Sequence, residues 1–186
     1  MSSMQNNRLT VGDFLPEFVY DTPFAKGVSF RETCGKVPGK TALVFLRYYG
    51  CTLCQLDLHS YAAAYDTIRQ TGGQLLVVLQ SDPENLANQL TPESLPFEII
   101  CDPQQELYRR FCVGAAPSML RMMSPATVAK GIRAMAGGYK HGEYEGNELQ
   151  LPAVFVTRRD GCLAYVRYGT AAGDAPTPKE LLAALG

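Results

Sequence analysis

Thr41-Ala-Leu-Val-Phe-Leu-Arg47 runs directly into Tyr48-Tyr-Gly-Cys-Thr-Leu-Cys54, and a helical stretch continues to about Gln70. The first segment is apolar without alternation, as expected of a central strand covered on both faces. In the last segment Leu58, Tyr61, Tyr65 and Ile68 recur at helical spacing, Ala62 to Ala64 favour a helix, and Gly72-Gly73 ends it. A cysteine pair therefore falls between a buried strand and the start of a helix. That placement has a chemical consequence. A helix N-terminus carries unpaired N–H groups and partial positive charge, which favour a thiolate over a thiol. With two residues between them, one sulfur can reach the other, so the pair can alternate between dithiol and disulfide.

The pattern repeats outward from this unit. Gln74-Leu-Leu-Val-Val-Leu-Gln80 reads as a second buried strand. Ser81-Asp82-Pro83 supplies a cap and a first-turn proline for a short helix to Leu90. Pro96-Phe-Glu-Ile-Ile-Cys101 is a third strand, and Asp102-Pro103 predicts a helix through Phe111. Helices alternating with apolar strands imply parallel pairing by right-handed crossovers, hence an α/β fold. Leu151 to Val156, the Arg159-Asp-Gly161 turn and Cys162 to Tyr168 form a β-hairpin pattern, and Pro178 to Leu185 is a closing helix. Val11 to Phe30 reads as an irregular hairpin, and residues 1–10 as a loose tail. Segment 114–150 breaks the alternation. It contains Met119, Met122, Met123 and Met135, a short helix from Ser124-Pro125 and a glycine-rich polar stretch, and is expected to be a helical insertion into a single domain spanning residues 1–186.

Composition narrows the function. The chain has 186 residues, 17 Lys plus Arg against 18 Asp plus Glu, and 46% hydrophobic residues. This is one domain's worth of chain. The charge balance gives no reason to expect nucleic acid as a partner. Neither a spanning segment nor an apolar leader is visible, so no membrane partner and a cytoplasmic location are expected. In a reducing compartment Cys51 and Cys54 read as catalytic, and the scattered Cys34, Cys101, Cys112 and Cys162 as small apolar residues. Zinc would need two further ligands, and His59 and His141 stand isolated. No metal or bound cofactor is expected.

The run Val44-Phe-Leu-Arg-Tyr-Tyr-Gly-Cys-Thr-Leu-Cys54 resembles the thioredoxin superfamily, and more narrowly the peroxiredoxin-like branch of the AhpC/TSA redoxins. Leu75 to Asp82, the Cys101-Asp-Pro-Gln-Gln-Glu-Leu-Tyr108 segment and Leu151 to Val156 with Asp160-Gly161 resemble the same family. The resemblance implies a thioredoxin-like fold, a central mixed sheet with helices on both faces. It also implies thiol–disulfide exchange or hydroperoxide reduction, with a protein disulfide or peroxide as substrate and a thiol reductant such as a thioredoxin system as donor. A redox-sensing or non-catalytic interaction module on the same fold is a third reading.

Two alignments assign the pair differently. The thioredoxin alignment makes Cys51 the exposed, acidic nucleophile, Cys54 the resolver and Pro152 a cis-proline facing them. Leu151 would then offer its backbone to an extended substrate. The peroxiredoxin alignment makes Cys54 the peroxidatic residue, with Arg47 and Cys51 where that family has Pro and Thr or Ser. Supporting roles fall to Arg47 as a thiolate-stabilising charge and to Thr52, Leu151 and Pro152. Asp57 is expected to serve the helix dipole, with proton transfer as the minor alternative. His59 is expected in solvent and Tyr48 and Tyr49 at the edge of the site. The methionines are expected mainly to fill core under a lid, a peptide-binding or homodimer surface being the alternative.

Overall fold

Every residue of Thr41–Phe45 (β3) is buried. The computed structural model, which describes residues 8–186, shows why. β3 is the middle of a five-stranded sheet and is covered on both faces. On one side it pairs in parallel with Gln74–Leu79 (β4), Thr41 opposite Gln74 and Phe45 opposite Val78; β4 pairs in parallel with Glu98–Cys101 (β5). On the other side it pairs antiparallel with Ala153–Thr157 (β6), which pairs antiparallel with Leu163–Tyr168 (β7). The sheet is therefore mixed, in the order β5-β4-β3-β6-β7.

Alternation along β3 sorts the core into two layers. Ala42 and Val44 pack with Leu58, Tyr61 and Ile68 of Thr52–Gln70 (α2) and with Leu181 and Leu185 of Pro178–Leu185 (α7). Leu43 and Phe45 face the other way. They meet Phe30 and Cys34 of Phe30–Gly35 (α1), Leu107 and Tyr108 of Glu106–Arg110 (α4), and Phe111 and Phe155. Val19–Tyr20 (β1) and Val28–Ser29 (β2) form the expected hairpin, which closes this second layer through Phe18 and Tyr20.

Most local signals read as expected. Asp82 caps Pro83–Ala87 (α3), accepting from the Glu84 and Asn85 N–H groups. Thr177 and Glu180 form a reciprocal capping box on α7. The second Asp-Pro signal does not open a helix at once: α4 begins at Glu106, after Gln105 in a left-handed conformation (φ 56°). The Asp102 carboxylate nevertheless accepts from the N–H groups of Glu106, Leu107 and Tyr108, capping the helix across the intervening turn. Of the tail expected to be loose, residues 1–7 lie outside the described residues. Leu9 donates its N–H to Tyr168 Oη, and Thr10 is hydrogen-bonded to Asp13.

Segment 114–150 holds two helices, Met119–Met122 (α5), which the sequence pattern did not single out, and Pro125–Ala136 (α6). α6 packs along α2. An irregular strap, residues 139–150, then crosses the end of β3 and rejoins the sheet at β6. Among the described residues no helix is long and apolar enough to cross a membrane.

Candidate active site

The chain leaves β3 through Leu46 and Arg47, and this turn is fastened from beneath. Tyr108 Oη donates to the Leu46 and Val78 carbonyls, and Gln80 N–H donates to the Arg47 carbonyl at 2.7 Å. Cys51 follows as the N-cap of α2. Its backbone is extended, and its sulfur accepts from the Cys54 N–H at 3.4 Å, where Ser, Thr or Asp commonly stands. Arg47 reaches the same sulfur, its guanidinium nitrogen 2.9 Å from Cys51 Sγ. No bridge joins the two sulfurs.

These surroundings separate the two cysteines. Cys51 is pulled down to about 6, first by a hydrogen bond from the Cys54 side chain, then by the Arg47 charge and the Cys54 and Leu53 N–H groups, against the opposing effect of burial. Cys54 is pushed well up, chiefly by burial and by donating to Cys51. These surroundings favour the thiolate at Cys51 and the retained proton at Cys54. The expected acidity of Cys51 agrees with this arrangement, but its expected exposure does not. Cys51 is 0% exposed and Cys54 4%. The strap is the reason. Gly142 N–H donates to the Gly50 carbonyl at 2.8 Å, Gln55 donates to the Lys140 carbonyl, Glu145 accepts from Ser81, and Asn147 is hydrogen-bonded to Gln80. Gly50 has room for no side chain, since a Cβ there would stand 2.4 Å from the Glu143 carbonyl oxygen.

Pro152 corrects a second expectation. The pairing of Ala153 with Phe45 brings it to the same end of the sheet as the cysteine pair, but the Leu151–Pro152 bond is trans. Both backbone groups of Leu151 are engaged within the chain. Its N–H donates to the Gly114 carbonyl, and its own carbonyl accepts from Gln150. The insertion has taken the hydrogen bonds that a cis-proline groove would have presented.

Asp57 is not a solvated dipole partner. It is buried on α2, with Lys130 Nζ of α6 2.6 and 2.8 Å from its two carboxylate oxygens. Burial pushes it up to about 6, and Lys130 limits the rise. A sequence signal existed, because Asp57 stands three residues after Cys54 and four before Tyr61, on the buried stripe of the helix. His59 is exposed as expected, its ring beside Tyr139. Tyr48 is fully buried rather than peripheral, whereas Tyr49 is half-buried. Tyr48 donates to Glu148, a residue that composition and spacing did not mark.

Beside Cys51 lies an apolar groove of about 410 Å³ lined by Leu53, Met119, Met123, Val128, Ile132 and Met135, with Arg47, Thr52, His141 and Glu148 among its polar walls. Of the four methionines only Met122 fills core; Met119, Met123 and Met135 are 52%, 44% and 66% exposed. A larger cavity of about 890 Å³ lies between the hairpin, α3 and α4. Its cysteine, Cys101, is pushed up to about 12 by burial and by nearby Asp82, Asp21 and Glu145, and so lacks a reactive thiolate.

A helix-capping cysteine pair at the end of the central strand, in a β5-β4-β3-β6-β7 mixed sheet, defines a thioredoxin-like redox protein. Residues 11–166 match the AhpC/TSA family, and the chain belongs to that family. It is a peroxiredoxin-like thiol–disulfide redox enzyme whose pair, Cys51 and Cys54, sits at the N-terminus of α2. The fold is shared with a peroxiredoxin-like protein from Aquifex aeolicus (TM-score 0.65, 14% identity, 95% of this chain and 86% of that one). It is also shared with peroxidoxin BcpB from Mycobacterium tuberculosis (0.65, 11%, 95% and 96%). A putative thiol:disulfide interchange protein DsbE from Chlorobium tepidum has the same fold (0.59, 17%, 96% and 99%). No curated protein matches the sequence.

Proposed function

We propose that Cys51 is the nucleophile and Cys54 the resolver of a dithiol cycle. The observation that carries this reading is the Cys51 sulfur itself, a helix cap that accepts from the Cys54 N–H at 3.4 Å and lies 2.9 Å from the Arg47 guanidinium. The Cys51 thiolate attacks one sulfur of a substrate disulfide, forming a mixed disulfide and expelling a thiolate. Cys54 then gives up its proton and attacks Cys51, forming the Cys51–Cys54 disulfide and releasing the second substrate thiol. The pair loses two electrons and the substrate gains them. A thiol reductant of the thioredoxin type restores the dithiol.

Burial of Cys51 favours a second reading. With the strap in place its sulfur admits a small oxidant more readily than a folded protein disulfide. A hydroperoxide would transfer one oxygen to Cys51, leaving an alcohol or water and a sulfenic acid, which Cys54 condenses to the disulfide with loss of water. In both readings the methionine-lined groove supports a substrate with an apolar portion, and Arg47 steers its reacting end to the sulfur.

Rapid-mixing oxidation of the reduced protein by a small organic hydroperoxide, a low-molecular-weight disulfide and a protein disulfide tests the assignment. Cys51→Ser should abolish oxidation by all three, and Cys54→Ser should trap a mixed disulfide on Cys51 with either disulfide and a sulfenic acid with the hydroperoxide. Retained oxidation in Cys51→Ser, with loss in Cys54→Ser, would exchange the two roles.

A further inference from the structure

Two consecutive residues at the end of β3 grip one residue of the strap. Arg47 donates from one guanidinium nitrogen to the Glu148 carbonyl at 3.0 Å and from the other to Cys51 Sγ at 2.9 Å. Tyr48 Oη donates to the Glu148 carboxylate at 2.5 Å and lies 3.0 Å from His141 Nε2, whose ring stacks on Tyr144 at 4.1 Å. Glu148 is thus held at both ends, its main chain by Arg47 and its side chain by Tyr48. A guanidinium is a rigid planar fork. With one prong fixed on the Glu148 carbonyl, the location of that carbonyl decides whether the other prong meets the sulfur.

We propose that Glu148 is a positioning residue for Cys51: latched through its carboxylate to Tyr48, it holds its carbonyl where Arg47 needs a second acceptor and so keeps the guanidinium on the reacting sulfur. The proposal rests on the reading of Cys51 as nucleophile. Around that sulfur the relevant charged and titratable groups are Arg47 and Tyr48 after β3, Cys54 and Asp57 on α2, Lys130 paired to Asp57 from α6, and His141 and Glu148 on the strap. Burial and the Glu148 carboxylate both hold the Tyr48 phenol in its protonated form, so it remains the donor of the latch.

The latch and a bare charge act with opposite signs. As a negative charge alone, Glu148 opposes a nearby thiolate, and its removal would make Cys51 more acidic. As a latch, it supports the thiolate through Arg47. Glu148→Gln removes the charge but keeps an acceptor for Tyr48, whereas Glu148→Ala and Tyr48→Phe each remove the latch. The experiment measures the iodoacetamide alkylation rate of the reduced, full-length protein against pH, with the labelled cysteine identified by mass spectrometry. In Glu148→Ala and Tyr48→Phe the midpoint should rise by about half to one pH unit, lowering the rate at pH 6 roughly 2- to 5-fold. In Glu148→Gln it should stay at or below that of the unaltered protein. A merely structural role moves thermal stability and leaves the midpoint in place. An unchanged or lowered midpoint in Tyr48→Phe overturns the proposal, as does a rise in Glu148→Gln as large as that in Glu148→Ala. First labelling of Cys54 in the unaltered protein is a separate outcome, which overturns the nucleophile assignment and this proposal with it.

Discussion

Arg47 and Cys51 form the shortest path from sequence to chemistry in this molecule. The half-buried guanidinium lies against the sulfur and is held there by two acceptors, so its charge acts at short range in a partly dry site. Arg47→Met removes that charge while keeping much of the packing. The Cys51 alkylation midpoint should then move upward from about 6, and the rate at pH 6 should fall by about an order of magnitude. The same shift links chemistry to stability. Cys51 is more acidic folded than unfolded, so its contribution is full above the thiol's ordinary value of 9 and is lost as pH falls through about 6. Denaturant unfolding of the reduced protein beside Cys51→Ser should therefore show a stability difference that grows, in favour of the unaltered protein, between pH 6 and pH 9. A difference independent of pH over that window would mean that the sulfur is not held as a thiolate.

At the scale of elements, the insertion does two separate things. Helix α6 is anchored on α2 by the Asp57–Lys130 pair, which lies 73 positions apart in sequence, and on the loop before α7 by Thr127 Oγ1 accepting from Gly173 N–H. Removing one member of a buried pair leaves an uncompensated charge, a cost of about 3 to 5 kcal/mol. Lys130→Met should lose about that much near pH 8, by chemical denaturation, and less near pH 5. Burial raises the Asp57 carboxyl, and with Lys130 gone the acid takes up a proton as pH falls and ceases to be a buried charge. The strap, by contrast, is fastened by small polar contacts and one close backbone approach. Gly50→Ala puts a methyl group where the Glu143 carbonyl stands, so the strap must lift. Bulky maleimides should then label Cys51 faster relative to iodoacetamide than they do in the unaltered protein. An unchanged ratio would mean that the strap does not control access.

Across the whole molecule, stability and reactivity are carried on different faces of the sheet. Phe45, Tyr108, Phe111 and Phe155 meet at ring-centroid distances of 5.1–5.6 Å in the layer opposite α2. Phe155→Ala opens a cavity among them and should cost about 3 to 5 kcal/mol in denaturant unfolding. Phe155 faces the layer opposite α2 and the cysteines, so the Cys51 alkylation midpoint should remain in place while the folded protein is populated. A shift comparable to that of Arg47→Met would show the two layers to be coupled.

Local physics wrote the order of elements into the sequence. Continuous apolarity in β3 and β4, helical spacing in α2, the caps at Asp82 and Thr177 and the Asp160-Gly161 turn are all settled within a few residues. The same range covers the placement of Cys51 and Cys54 at a helix start, and with it the direction in which Cys51 is shifted. Tertiary structure decided everything that depended on distant partners. Leu151 and Pro152 look alike in sequence whether or not Gly114 and Gln150 engage the Leu151 backbone, and that engagement removed the substrate groove. Glu148 lies 101 positions from Arg47 in an irregular strap with no period to reveal which side chains turn inward, and Lys130 lies 73 from Asp57, so nothing local names it as the partner. The exposure of Cys51 was decided in the same way. A helix N-terminus makes a sulfur acidic through its own N–H groups, but whether water reaches that sulfur depends on which loop lies across it. Here that loop is joined through single hydrogen bonds and a glycine contact, which leave no pattern in the chain.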